Sequence, residues 1–265
     1  MNHVHLHFSS PLLSFLKRKH QKPILSYNLQ RKATIKDIIE SLGVPHTEIG
    51  HIFADNREID FCYRPSESRS IHIRHVDAPF NVFKPSLLRK QPLKEFRFIV
   101  DVNVGKLSQL LRLIGLDTAY IPDASDEEIA EAAHQQQRIV LTKDMGLLKR
   151  KKIIFGRFVK AIHPEQQLKE IVDFFGLKGP FKTFSRCLLC NSYILNVEKE
   201  VIFHRLEPKT KRYYSDFRIC SSCGQIYWQG SHYEKLIAML ENISEEFVKG
   251  VSCCPANSSH QTKMN

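Results

Sequence analysis

Two Cys-x-x-Cys pairs limit what the carboxyl-terminal third of this chain can fold into. The first pair is Cys187 and Cys190, and the second is Cys220 and Cys223. Two such pairs supply the four thiolates that Zn²⁺ binds in a tetrahedral structural site. A redox motif would explain one pair and leave the other without a role. The spacing therefore predicts a zinc ribbon over residues 181–248, in which the Zn²⁺ is structural because all four ligands come from the protein.

Between the two pairs, residues 193–197 and 201–205 have the pattern of short strands. A ribbon requires only that its two knuckles meet in space, so the long insertion between them is compatible with one zinc site. The three remaining cysteines lack metal-ligand spacing, and two of them lie in the Ser- and Asn-rich residues 249–265. We expect that segment to be a disordered tail.

A regular alternation of apolar strands and amphipathic helices precedes the cysteines. Strands are predicted at residues 96–100, 118–121, 139–141 and 157–162. The helices between and after them are marked by the apolar stripe from Leu107 to Ile114, a Ser125 and Glu128 capping box, and Pro164 in a first turn. Strands that alternate with helices of this length predict an α/β domain with a parallel sheet over residues 95–180.

The first 76 residues show another order of elements. Strands are predicted at 4–8 and 24–29, followed by a helix that a Thr34 and Asp37 capping box begins and Gly43 ends. Further short strands are predicted at 51–53, 59–61 and 70–75. This order is typical of a β-grasp domain. Residues 77–94 contain three prolines without sustained periodicity and are expected to form a linker.

An aspartate follows each of the first three strands of the predicted parallel sheet. Asp101 follows the first strand, Asp126 begins the helix after the second, and Asp144 comes just after the third. The carboxyl ends of parallel strands lie at one edge of the sheet, where ligand sites of α/β domains form. Carboxylates brought together there would repel one another, and a hard cation such as Mg²⁺ or Mn²⁺ relieves that repulsion. Helix capping or a turn explains each acid alone, whereas the coincidence of three favours a metal site. Asp117 lies at the amino end of a strand and is expected to be structural.

The charge balance points to a polyanionic partner. The chain has 39 Lys and Arg against 28 Asp and Glu, a net charge of +11, so nucleic acid is the first partner to consider. No stretch approaches the roughly 20 consecutive apolar residues of a spanning helix, and the amino terminus has no signal-peptide pattern. We therefore expect no membrane partner and a cytoplasmic location.

Basic residues cluster after the predicted acidic edge and again in the ribbon, and both runs lack matching acids in the sequence around them. Such runs are ordinarily solvated faces, but beside an acidic site they favour contact with phosphates. The residues predicted to contact RNA are Lys149, Arg150, Lys151, Lys152, Arg212 and His232. Ribbon aromatics including Tyr214 and Trp228 suit the stacking of unpaired bases, whereas Phe217 and Tyr227 are expected to serve the ribbon core.

Several motifs in one order resemble those of a known family. They are Asp101-Val-Asn103-Val-Gly105-Lys-Leu107, Leu110-Leu-Arg112-Leu-Ile-Gly115-Leu-Asp117-Thr, Arg138-Ile-Val-Leu-Thr142-Lys-Asp144 and Gly146-Leu-Leu148. They resemble the PIN-like ribonuclease domain of the mut-seven C-terminal family, which usually continues into a zinc ribbon and in bacteria often follows a ubiquitin-like domain. Val104 and Ser108 differ from the residues that are more common at these two positions in the family. We expect these differences to affect packing only.

The resemblance implies a metal-dependent endoribonuclease. By that implication Asp101, Asp126 and Asp144 bind Mg²⁺ or Mn²⁺, with Asn103 and Thr142 as polar support. No fourth acid stands out among the glutamates of the helix that Asp126 begins, so the metal is expected to bind weakly until RNA phosphates complete its coordination. The alternative function is a non-catalytic module that binds RNA or recruits a partner, for which the β-grasp domain is a candidate surface. The oligomeric state is not indicated.

Overall fold

The structure, a computed structural model, describes residues 3–29, 32–66 and 69–249 of the 265. It has three sheets: a five-stranded mixed sheet, a four-stranded parallel sheet and a three-stranded antiparallel sheet. This confirms the predicted fold class, with a β-grasp-like domain, a parallel α/β domain and a ribbon. No helix in the described ranges is both long and apolar enough to cross a bilayer. Apart from Lys249, the predicted tail lies outside those ranges.

The amino-terminal domain packs a mixed sheet against one short helix. Its elements are β1 His3–Phe8, β2 Ile24–Asn28, α1 Ile35–Leu42, β3 Ile49–Ala54, β4 Arg57–Glu58 and β5 Ser70–His75, and the sheet order is β2-β1-β5-β3-β4. The predicted capping box begins α1, whose apolar face is buried against the sheet. The strand predicted at 59–61 is wrong: Asp55 and Asn56 take positive φ in a tight turn, so the strand pairs earlier, at Arg57–Glu58.

The central domain is the predicted parallel sheet. Its elements are β6 Arg97–Val100, α2 Gly105–Leu113, β7 Asp117–Tyr120, α3 Asp126–Gln135, β8 Ile139–Thr142, α4 Met145–Leu148, β9 Gly156–Phe158 and α5 Pro164–Phe175, with sheet order β7-β6-β8-β9. Phe98, Ile99 and Val140 are fully buried, as central strands require. The last strand is shorter than predicted because the Lys160 and Ala161 amides donate to the Glu170 carboxylate and not to a neighbouring strand.

Residues 77–94 contain no helix or strand, but they are packed against both neighbouring domains. Val82 and Leu93 are buried in the core of the parallel-sheet domain. Arg89 is also buried, and its guanidinium donates to the carbonyls of Thr47 and Ile49 in the β-grasp domain. The segment therefore joins the two domains by specific contacts.

The ribbon consists of β10 Ile194–Val197, α6 Lys199–Ile202, α7 Pro208–Tyr213, β11 Phe217–Cys220 and β12 Ile226–Trp228, followed by α8 Ser231–Ile243. The strand predicted at 201–205 is wrong, because this stretch is helical. Ile202 and Leu206 are buried four residues apart while Val201 and Phe203 are exposed, which is helical and not strand periodicity. Helix α8 returns to the central domain, where Leu240 is buried.

Candidate active site and zinc ribbon

A buried carboxylate is held at the carboxyl ends of β6 and β8. Asp101 is only 7% exposed, and its Oδ2 accepts hydrogen bonds of 2.6 Å from both the Thr142 hydroxyl and Asn103 Nδ2. Its Oδ1 accepts the Val102 amide at 2.6 Å. Asn103 Oδ1 in turn accepts a hydrogen bond from the Lys143 amide at 2.9 Å. One predicted acid and both predicted supporting residues therefore form a single network.

Asp144 joins this network through its backbone. Its amide donates to the Thr142 hydroxyl at 2.8 Å, the same hydroxyl that bonds to Asp101. Asp144 Oδ1 is the N-cap acceptor of α4, with bonds from the Gly146 amide at 2.5 Å and the Leu147 amide at 3.3 Å. Its Oδ2 accepts no hydrogen bond from the described residues. Asp144 therefore has one carboxylate oxygen held by the helix and one exposed to a ligand.

Asp126 stands at the start of α3, after β7, and makes no hydrogen bond to the network among the described residues. It is the first residue of α3, between Ser125 and Glu128 of the capping box, and its Oδ2 is 3.5 Å from Arg150 Nη2. Within the ranges that the structure describes, only the four ribbon cysteines bring three or more Cys, His, Asp or Glu ligand atoms together. The three aspartates therefore do not form a preassembled metal site, and a shared cation would require side-chain movement or bridging oxygens.

The donors at this edge nevertheless fit a hard divalent cation. Carboxylate, amide and hydroxyl oxygens are the ligands that Mg²⁺ and Mn²⁺ prefer. Asp126 is about two-fifths exposed, with a side-chain exposure of 39%, so both it and the outer oxygen of Asp144 can reach an ion in solution. The residues that would hold such an ion are Asp101, Asp126 and Asp144.

Two residues of the basic run at residues 149–152 are paired with acids, so the expectation that the run lacks matching acids is wrong. Arg150 Nη1 lies 2.8 Å from Glu127, and Lys152 Nζ lies 3.0 Å from Glu127 and 2.6 Å from Glu131. Hydrogen bonds from Lys152 hold the pKa of both glutamates below the usual value. These pairs could not be predicted from the neighbouring residues in the sequence, because α3 lies more than 20 residues away along the chain. Lys151 has no ion pair among the described residues.

Arg157, from the same basic region, is held at the interface with the β-grasp domain. Its Nη1 lies 2.5 Å from the buried Glu48 carboxylate, and its guanidinium stacks 3.9 Å from the Phe174 ring centroid. Glu48 also accepts the Phe158 amide of edge strand β9 at 2.7 Å. Lys149, the first residue of the run at 149–152, is partly buried, and this burial lowers its pKa. No sequence motif marks Glu48, and the contact joins residues 109 apart.

The four predicted zinc ligands form one cluster. Their Sγ atoms lie within 4.8 Å of one another, with Cys187 to Cys223 at 3.6 Å and Cys190 to Cys220 at 3.3 Å. Zn–S bonds of about 2.3 Å place the sulfurs of a tetrahedral site roughly 3.8 Å apart, whereas a disulfide requires about 2.05 Å. The amides of Ser222 and Cys223 both point at the Cys220 sulfur, at 3.4 Å. The cluster thus fits a structural zinc ion.

The first zinc knuckle is docked onto the central domain by a buried arginine. Arg112 of α2 is 3% exposed, and its Nη1 donates to the carbonyls of Leu188 and Leu189, the two residues between Cys187 and Cys190, at 2.8 and 2.9 Å. Its Nε donates to the Thr118 carbonyl of β7 at 2.8 Å. Arg112 lies in one of the motifs quoted above, but no pattern in the sequence predicts this contact.

A second contact uses the residue after the knuckle. Asn191 accepts the Thr118 amide at 3.0 Å and donates to Asp117 at 2.8 Å. Asp117 also pairs with Arg138 at 2.6 Å, as expected for a structural residue at the amino end of β7. Burial raises the pKa of Asp117, but the hydrogen bonds from Arg138 and Asn191 outweigh burial, so the pKa lies below its usual value. Gly115, with φ of +90°, lets the ribbon approach, because a Cβ there would lie 2.5 Å from the Lys182 carbonyl oxygen.

The remaining predicted contacts lie on the ribbon surface. Arg212 is exposed beside the Tyr213 ring, and His232 is exposed in the first turn of α8. Phe217 is buried, and the Tyr227 hydroxyl lies 3.1 Å from Cys187 Sγ, so both aromatics serve the ribbon interior as expected.

Comparison with known proteins places these features in one family. The Mut7-C RNAse domain family matches residues 96–240, more than half of the chain, and the Mut7-C ubiquitin family matches residues 1–81. A human protein described as exonuclease mut-7 homolog is 30% identical over 106 residues, which are 38% of this chain and 12% of that protein. The chain therefore spans only a small part of that relative. No solved structure matches. The match over residues 96–240 contains the acidic network and the four cysteines, and the chain belongs to the Mut7-C RNAse domain family.

Proposed function

We propose that this protein is a Mg²⁺- or Mn²⁺-dependent endoribonuclease, which hydrolyses RNA phosphodiester bonds at the carboxyl edge of the parallel sheet. The observation that carries the proposal is the network in which one Thr142 hydroxyl joins the Asp101 carboxylate to the Asp144 amide. It brings two acids from different strands to the edge where sites of α/β sheets form. Membership of an RNase domain family supports the same reaction class.

The chain's own residues have distinct roles in this proposal. Asp101, Asp126 and Asp144 would hold the cation, which when bound supplies water activation and stabilises charge on the phosphoryl oxygens. Thr142 and Asn103 fix the orientation of the Asp101 carboxylate through their hydrogen bonds. Lys151, which follows α4 and is exposed, has no ion pair among the described residues and offers its positive charge to an RNA phosphate.

The cleanest test of this site is Asp144→Asn. The asparagine oxygen can keep both N-cap hydrogen bonds, because only Oδ1 of Asp144 accepts them and Oδ2 has no donor from the described residues. Asp101→Asn is less clean, because an amide group would face donors that now bond to both carboxylate oxygens. A metal ion contributes several kcal/mol to the transition state, so Asp144→Asn should lower cleavage at least about 100-fold while RNA binding persists.

Asp117→Asn is the matched control, because this acid lies at the opposite end of the same sheet. We expect Asp117→Asn to lower stability and to retain cleavage at temperatures where it is folded. Cleavage would be measured on a labelled structured RNA with added Mn²⁺ or Mg²⁺. Metal-dependent cleavage that survives Asp144→Asn would show that the reaction takes place elsewhere.

A specific observation favours the alternative, a non-catalytic RNA-binding module. All three aspartates already have local partners: Asp101 and Asp144 cap helical turns, and Asp126 lies beside Arg150. If the wild type binds RNA and cleaves none with any divalent cation, this alternative is correct. The open face of the β-grasp sheet, which carries His5, His7 and His72, would then be the surface for a protein partner.

We further propose that the protein works in a reducing compartment such as the cytoplasm. The support is the cysteine cluster, whose sulfurs are spaced for a metal ion and not for disulfides. Loss of zinc on exposure to a mild oxidant, with recovery after reduction, would be the expected behaviour.

A further inference from the structure

A large open groove lies between the ribbon, α2 and α8. Its volume is about 1070 Å³, close to the upper end for ligand sites in proteins. Six of the residues that line it carry the argument: Tyr214, Trp228, Tyr233, Asn196, Gln225 and Gln229. Three are aromatic and three are carboxamides, which is a combination that ordinary ribbon cores do not need.

Three aromatic side chains line the groove, and they differ in how far they are covered by neighbouring rings. Trp228 is 39% exposed, and its ring lies 6.5 Å from the Tyr214 ring at 51°, so the two rings do not stack flat on each other. Tyr233 packs with its centroid 4.3 Å from that of Phe184. Gly230 lies directly against the indole, since a Cβ there would come within 2.9 Å of Trp228 Nε1. The groove thus contains a partly exposed indole on which a planar base can stack.

The polar groups of the groove suit base edges. Asn196, Gln225 and Gln229 are exposed, and each carboxamide offers a donor and an acceptor, as the Watson–Crick edges of unpaired bases require. Arg218 and His232 also line the groove, are exposed, and add basic groups for phosphates. Two acids, Glu198 and Asp216, also line the groove. The charged lining of the groove is therefore mixed, and the attraction of a polyanion comes from the long-range field of the whole chain, which carries a net charge of +11.

We propose that this groove binds unpaired bases of single-stranded RNA; the inference rests on the proposed function. The groove is connected to the acidic edge through α2. Gln109 of α2 lines the groove, and it lies four residues, or about 6 Å along the helix axis, after Gly105, which follows the acidic network. A strand whose bases lie in the groove can therefore extend along α2 to the edge that carries Asp101.

The chain contains a built-in reporter for this proposal, because Trp228 is its single tryptophan. We would titrate the full chain with a 12-nucleotide single-stranded RNA and record tryptophan fluorescence, without added divalent metal so that no cleavage takes place. Stacking of a base on the indole should quench the signal saturably. A 12-base-pair RNA duplex should quench far less at equal nucleotide concentration, because its bases are already stacked.

Matched variants separate the groove from the rest of the ribbon. Loss of one base stack should weaken binding of the single strand about 5- to 100-fold in Tyr214→Ala. Tyr213→Ala should bind like the wild type, because this neighbouring aromatic is 68% exposed and does not line the groove. Zinc content confirms that each variant is folded, and Asn196→Ala, which removes an exposed side chain, gives the same test if Tyr214→Ala loses zinc.

Each outcome decides the proposal without depending on catalysis. Quenching that is absent, equal with duplex RNA, or unchanged in Tyr214→Ala and Asn196→Ala would overturn it. Quenching by poly-glutamate and not by RNA would also overturn it, in favour of an acidic protein segment. Metal-dependent RNA cleavage without quenching would leave the nuclease standing and refute the groove, whereas selective quenching without any cleavage would support the groove and refute the nuclease.

Discussion

Replacing Arg112 should loosen the zinc ion although this residue touches no cysteine sulfur. Its guanidinium donates three hydrogen bonds of 2.8 to 2.9 Å, to the carbonyls of Thr118, Leu188 and Leu189. A hydrogen bond from a charged donor contributes roughly 1.5 to 3 kcal/mol. Water can replace part of this in Arg112→Ala, because Leu189 is exposed. We therefore expect a loss of about 3 kcal/mol in the docking of the knuckle, less than the sum of the three bonds.

The assay is the rate of zinc release to a chromogenic chelator. If release requires the knuckle to leave α2, a loss of about 3 kcal/mol accelerates release by up to roughly 100-fold. Arg89→Ala is the matched control, because Arg89 is an equally buried arginine whose guanidinium also donates to backbone carbonyls, at the β-grasp interface. Burial lowers the pKa of Arg89 to about 10, so it too is charged at neutral pH. Both variants should be destabilised, and only Arg112→Ala should release zinc faster. Equal release rates in the two variants would refute the coupling between α2 and the zinc knuckle.

Four further outcomes are expected from the contacts described in the Results. Elemental analysis should find about one zinc per chain, and Cys190→Ser should lower both zinc content and thermal stability, because metal binding contributes folding free energy. Neutralising residues 149–152 should reduce the salt dependence of RNA affinity by less than the loss of four phosphate contacts would, because two of the four residues already pair with acids. A reduction that corresponds to four lost contacts would contradict those pairs. Glu48→Ala should cost about 3 kcal/mol in urea unfolding by leaving Arg157 without its buried partner, and Glu48→Gln less, because it still accepts an amide. The pKa of Asp117 is lower in the folded state, so the stability that ionised Asp117 contributes is complete above the unfolded pKa of about 3.9 and is lost as pH falls through the folded pKa. In Asp117→Asn, the free energy of unfolding should therefore fall less steeply with decreasing pH in the acid range.

The periodic and capped elements could be predicted from the sequence because their signals are local. The Thr34 and Ser125 capping boxes begin helices where predicted, and Gly176, with φ of +59°, ends α5 in the left-handed conformation that glycine favours. The cysteine spacing identified all four members of the metal cluster. In each case the deciding interaction joins residues within four positions, or a short motif carries the chemistry.

Two of the failures have the opposite cause, which is that spatial neighbours are distant in sequence. Arg150 and Lys152 were expected to be unmatched because Glu127 is more than 20 residues away. Glu48 carries no motif and becomes important only where edge strand β9 meets it. The strand expected at 201–205 shows a different limit, since its β-branched and aromatic residues favour a strand until the burial of Ile202 and Leu206 selects a helix. The convergence of the three aspartates on one metal stays a prediction.

The interfaces explain why a four-stranded parallel sheet of this kind is flanked by two other modules. A parallel sheet is stable when both faces are covered and its edges are protected, and β7 and β9 are the two edges here. The β-grasp domain caps β9, where Glu48 accepts the Phe158 amide. The ribbon caps β7, where Asn191 accepts the Thr118 amide.

Each flanking module thus satisfies an edge amide with a carboxylate or carboxamide oxygen. An arginine of the central domain, Arg157 or Arg112, makes a second contact with each module. An unprotected strand edge can pair with a further strand, whereas a side-chain oxygen that accepts the edge amide satisfies it without extending the sheet. The carboxyl edge that carries Asp101 and Asp144 lies between the two caps. Loss of either cap should therefore expose a strand edge and disturb the acidic network from the side, which is a physical reason for one chain to carry all three modules.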